Sequence, residues 1–110
     1  MSDRAIDHAL LLDFYGELLT EKQRRLCDFH WNEDYSLAEI AETESTTRQA
    51  VWDNLHRAEA KLRQFEENTG IIRRWLDRRE QIEEVRERLS ALLPDNEESR
   101  RVLARLDELI

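Results

Sequence analysis

An all-α fold follows from three features of this 110-residue chain. Charged residues, 38% of the total, are spaced among leucines and alanines; there are only two glycines and one proline; and period-two runs of β-branched residues are absent. A 40% apolar fraction allows one modest core.

The first helix is expected from about Arg4 to Leu19, where Ile6, Leu10, Phe14 and Leu18, with Leu11 and Tyr15 beside them, recur at helical spacing. Thr20-Glu21-Lys22-Gln23 has the pattern of a capping box and opens a second helix through about Trp31, with Leu26, Cys27, His30 and Trp31 on its inner side. A polar connection, Asn32 to Tyr35, leads to a second box at Ser36-Leu37-Ala38-Glu39. Thr46-Thr47-Arg48-Gln49 repeats the pattern ten residues later, so the helix between the boxes holds about two turns and ends near Glu42. The chain must then turn through Thr43-Glu44-Ser45, which gives a short helix, a turn and a longer helix.

That longer helix is expected from Thr47 to about Glu67, with Gly70 as its left-handed stop. At about 100° per residue, Leu55, Ala58, Leu62 and Phe65 fall within about 40° of Val51 and form a core seam. Gln49, Asp53, His56, Ala60 and Arg63 project the other way, with Arg48 and Trp52 on the flank. Beyond Gly70, Ile71, Trp75, Ile82, Val85, Leu89 and Leu92 recur in steps of four and three until Leu93-Pro94 ends the helix. Asp95, with Glu98 three residues on, is expected to cap a last helix lined by Val102, Leu103, Leu106, Leu109 and Ile110. Residues 1–70 thus form a helix-turn-helix domain. Residues 71–110 form a helical hairpin whose apolar stripe exceeds what a short hairpin covers alone, as expected of a packing or dimerisation element.

Helix, turn and longer helix is the layout of a nucleic-acid reader. Arg48 and Gln49 stand in the first turn of the second helix, where arginine can pair with guanine and glutamine with adenine in the major groove. Trp52, Asp53 and His56 follow on the outward side, and Arg57 is placed to hold backbone phosphate. Asp53 repels phosphate and is useful only opposite a cytosine amino group. Net charge is −8, unfavourable for duplex binding, but it is unevenly spread. Residues 1–46 carry four basic and eleven acidic side chains, residues 47–70 four of each, and residues 71–110 nine arginines against ten acids. The reading helix is neutral, so one copy should bind weakly.

Other chemistry finds little support. Cys27 and His30 have a C-x-x-H spacing, but without a second Cys/His pair a core cysteine beside a half-buried histidine is the better reading than metal. No glycine-rich phosphate loop or nucleophile triad occurs, and the carboxylates alternate with arginines as solvated helix faces do. Neither an enzyme nor a cofactor is expected. The single cysteine fits a reducing compartment, no apolar span reaches the roughly 20 residues a membrane helix needs, and the N-terminus lacks a signal-peptide pattern; a cytoplasmic location is expected.

The segments FYGELLTEKQRRLCDFHWNEDYSLAEIAE and TRQAVWDNLHRAEAKL resemble the YlxM family of small bacterial proteins over most of residues 10–70. Less specifically, they are similar to region four of sigma-70 factors, a DNA-reading helix-turn-helix. The resemblance implies a cytoplasmic bacterial protein with a regulatory or accessory place beside the signal recognition particle, whose genes neighbour those of the family. The family's turn carries an aromatic, a glycine and a valine before the capping serine; Glu44, Ser45, Thr46 and Thr47 stand there instead. A non-glycine residue in the left-handed region costs about 1 kcal/mol, which predicts a looser turn. Two functions emerge from different classes. One is a DNA-binding regulator paired through its hairpin. The other is a protein-interaction adaptor whose acidic half docks on signal recognition particle components. An RNA reader ranks third, because the A-form groove is narrow.

Overall fold

The structure, a computed structural model, describes residues 6–110, and all of their regular elements are helical. They are α1 (His8–Tyr15), α2 (Glu21–Cys27), α3 (Leu37–Thr43), α4 (Arg48–Thr69), α5 (Ile71–Leu92) and α6 (Glu97–Asp107). A 3-10 turn, Gly16–Leu18, follows α1, and a π turn, Asp28–Asn32, extends α2. The chain divides into two compact units, with the boundary two residues into α5, between Ile72 and Arg73.

In the first unit α4 is the axis, and α1, α2 and α3 all pack against it. The expected seam holds: Val51, Leu55, Ala58 and Leu62 are buried and Phe65 is half-buried. Leu11, Leu26, Cys27 and Ile40 complete the fully buried set from the three shorter helices. The first helix differs from expectation. Asp7 accepts the Leu10 N–H at 2.9 Å and so starts α1 at His8, while the expected start at Arg4 lies outside the described residues. Its inner face is Leu11, Leu12 and Tyr15, whereas Phe14 and Leu18 are exposed. The 3-10 turn tightens the winding from Gly16 onward, so a stripe extrapolated at the α period points Leu18 to the wrong side.

At the C-terminal corner of α4, Gly70 takes the left-handed conformation (φ 65°). There the Tyr15 hydroxyl donates to Glu66 Oε1 at 2.6 Å, and the same carboxylate oxygen accepts the Ile72 N–H at 2.9 Å, near the start of α5. Burial raises the Tyr15 pKa, and the bond to the Glu66 carboxylate raises it further.

In the second unit α5 and α6 run antiparallel, tied by a two-bond pair between Arg86 and Asp107, the shorter 2.6 Å. The cap of α6 is Asn96, whose side chain accepts the Ser99 N–H at 2.8 Å, and not Asp95. Asp95 instead receives Arg100 at 2.9 Å.

Candidate nucleic-acid interface

The turn between α3 and α4 sets the angle at which α4 is presented, and it closes by a complete set of bonds. Ser45 takes the left-handed conformation (φ 53°), so that Ser45 N–H donates to Glu42 O at 3.3 Å and Thr46 N–H donates to Ala41 O at 2.9 Å. These are the two bonds of a Schellman closure, here built on serine where glycine is usual. Thr46 is used by that closure, so the cap of α4 moves one residue on: Thr47 Oγ1 accepts the Ala50 N–H at 3.1 Å. The expected box from Thr46 to Gln49 therefore does not form. The box at Ser36 does, with Glu39 N–H on Ser36 Oγ at 3.1 Å and Glu39 Oε1 on Ser36 N–H at 3.0 Å.

The turn has an added fastening from α2. The Arg25 guanidinium grips Glu44 through both carboxylate oxygens, at 2.7 and 3.1 Å. Hydrogen bonding to Arg25 holds the Glu44 carboxyl below its ordinary pKa. A charge-assisted fork thus ties the turn to α2.

On the outward side of α4, Arg48, Gln49, Trp52, His56 and Arg57 are exposed and Asp53 is half-exposed. Gln49 Nε2 donates to Asp53 Oδ1 at 3.2 Å, which offsets part of that carboxylate's repulsion toward phosphate. The Trp52 and His56 rings stack at 3.7 Å, and His56 Nδ1 lies 2.9 Å from Trp52 O. A carbonyl oxygen can only accept, so that bond assigns the proton to Nδ1 and leaves Nε2 as an acceptor in the neutral ring. Tyr35 stacks on Phe29 at 4.9 Å. Arg48, Gln49 and Trp52 border a shallow groove with Leu37 of α3.

The geometry brings Arg48, Gln49, Trp52, Asp53 and His56 onto one solvent-facing surface and sets Arg57 at its edge. It does not leave Arg63 there. The Arg63 guanidinium is held by Glu59 at 2.9 Å and Ile6 O at 3.3 Å, while His8 Nε2 lies 3.0 Å from the other Glu59 oxygen and stacks on Trp31 at 4.3 Å. Partial burial opposes the Glu59 charge, but the bonds to Arg63 and His8 outweigh it and keep the pKa below its ordinary value. Lys61, one turn beyond Arg57 on the same flank, is exposed and extends the basic edge. The i,i+4 step from Arg57 would have revealed it. Leu37 and Arg25, by contrast, join the site only through the tertiary fold.

Cys27 is fully buried, and burial first, then the charges of Asp28 and Glu59, push its thiol up to about 12, so it stays protonated at neutral pH. His30 Nδ1 lies 2.7 Å from Tyr35 O. Among the described residues no group of three or more His, Cys, Asp or Glu side chains is placed to hold a metal ion, and no helix is long and apolar enough to cross a membrane.

Comparison with known proteins bears on this arrangement. Residues 2–102 match the family UPF0122, described as "Putative helix-turn-helix protein, YlxM / p13 like". A UPF0122 protein of Geobacillus kaustophilus is 40% identical over 109 residues, covering 99% of each chain. One from Acetivibrio thermocellus is 36% identical, covering 98% of this chain and 97% of its own. One from Listeria innocua is 42% identical over 81 residues, 74% of each.

Proposed function

The chain belongs to the UPF0122 family of YlxM / p13-like proteins, and on that premise we propose that it is a DNA-binding regulator that sets the start of α4 into the major groove. One observation carries the reading: the first three turns of α4 bury Val51 and Leu55 while exposing Arg48, Gln49, Trp52 and His56, on a helix held at a fixed angle by a closed and clamped turn. Arg48 and Gln49 reach base edges; Trp52 offers an apolar face to a thymine methyl; Arg57 and Lys61 lie along the backbone. Asp53, tied to Gln49, favours a cytosine amino group. The reading helix is neutral overall, so each head binds weakly and depends on screening. An accessory role beside the signal recognition particle rests on the family resemblance.

The test is fluorescence anisotropy with a labelled random-sequence duplex across a salt series. Affinity is expected to fall steeply as salt rises, and Arg57→Ala to weaken all sequences alike, whereas Gln49→Ala blunts preference among sequences selected from the pool. Binding that ignores salt, or none at low salt, would overturn the reading.

A second reading is favoured by one feature. Trp52 is 45% exposed, and tryptophan is a frequent anchor of protein–protein contacts. Together with eleven acids against four bases in residues 1–46, it suits an adaptor docking on a basic protein such as a signal recognition particle component. Recovery of those components at moderate salt, with no duplex binding, would select it.

A further inference from the structure

The second unit carries an apolar face that nothing within it covers. On α6, Ser99, Leu103 and Leu106 turn toward the inner side and are buried or half-buried, whereas Val102 is 45% exposed; just past the end of the helix Ile110 is half-buried and Leu109 is 65% exposed. At 100° per residue, Val102 lies roughly 70° to one side of the inner row. On α5, Ile82, Leu89 and Leu93 are half-buried, whereas Val85 and Leu92 are 51% and 80% exposed and lie roughly 70° to one side of theirs. Both offsets run against the helical advance, and the helices are antiparallel. Both exposed rows therefore emerge on the same face of the hairpin. There Val102, Arg105, Leu106, Glu108 and Leu109 border a shallow groove.

We propose that this face is the seat of a second copy of the chain, so that two hairpins close into a four-helix bundle. Two considerations select that occupant. First, residues 73–110 are near neutral, with nine arginines against ten acids, and each long edge of the face carries both signs: Glu84 and Arg88 on α5, Arg105 and Glu108 on α6. A strongly acidic or basic partner finds no matching field there, whereas a copy presents the same mixed edges and the same apolar strip, as a two-fold interface requires. Second, among residues 73–110 only Leu76 and Ser99 are buried, and α6 has 11 residues, a length that is marginal without packing. Pairing supplies the missing cover in the manner of helix bundles. Pairing through this face requires no DNA.

The experiment is sedimentation equilibrium on the full chain. Wild type is expected at twice 13.2 kDa in the micromolar range, and Val102→Glu/Leu109→Glu at 13.2 kDa, with a dimer dissociation constant raised roughly a hundredfold or more. Because two glutamates can also unfold α6, Leu92→Cys provides a second readout. Cys27 is buried, so a short bifunctional maleimide should link two Leu92→Cys chains into one covalent dimer while leaving Glu97→Cys chains unlinked. A wild type that stays monomeric when concentrated, or a dimer that survives both glutamates with no Leu92→Cys link, overturns the proposal and leaves the face to another protein.

Discussion

The two units are built from similar material and differ in what they finish. Residues through Ile72 wrap three short helices around α4 and leave seven large side chains fully buried, Leu62 and Ile40 among them. Arg73–Ile110 is also built from amphipathic helices yet leaves Leu92 and Leu109 mostly exposed. A helix becomes core only when a neighbour covers its stripe. The first unit supplies its own neighbours and holds the exposed side of α4 in place, whereas the second displays its stripe as a surface.

The largest expected effect breaks that contrast directly. Leu62→Ala empties a fully buried site and should lower the unfolding free energy by about 2–5 kcal/mol. Leu92→Ala, at a concentration too low for self-association, should change it by less than about 0.5 kcal/mol. Urea unfolding of both variants checks the pair; equal losses would mean that the hairpin stripe is as covered as the core.

A smaller effect concerns the turn that presents α4. Ser45 occupies the left-handed region with a side chain, so Ser45→Gly should stabilise the chain by about 1 kcal/mol, read as a higher midpoint in the same urea series. A destabilised Ser45→Gly would mean that the turn does not adopt this closure in solution.

The smallest is a pH dependence of the clamp. The Glu44 pKa is lower in the folded chain than in the unfolded one, because of Arg25. The stabilisation is therefore present above the ordinary carboxylate pKa and is lost as pH falls through the depressed folded value. The gap in melting temperature between wild type and Glu44→Gln should be open at neutral pH and close on acidification; a gap independent of pH contradicts the clamp.

Much of the first unit is legible in the residues because its signals are local and long. The row from Val51 to Phe65 repeats over four turns, and the boxes at Thr20 and Ser36 each need only four residues. Where two cap-competent residues stand side by side, as in Thr46-Thr47 and Asp95-Asn96, the local pattern does not choose between them; at Thr46 the closure of the preceding turn takes the first residue, and at Asp95 the first pairs with Arg100 instead. The outward residues of α4 follow from the same period as its core. The Arg25–Glu44 clamp spans 19 residues, and nothing in either local pattern announces it. For the same reason the turn without glycine reads in sequence as loose, although in the fold it is closed by two backbone bonds and tied to α2.

The central claim, that the outward surface of α4 meets duplex DNA, is tested most directly by amide and indole shift mapping. A labelled chain titrated with a short duplex at low salt should show its largest perturbations at Arg48, Gln49, Trp52 and His56, with the Trp52 indole moving well beyond Trp31 and Trp75. Perturbations confined to the acidic stretch before Thr47 or to the hairpin, with α4 silent, would contradict the account.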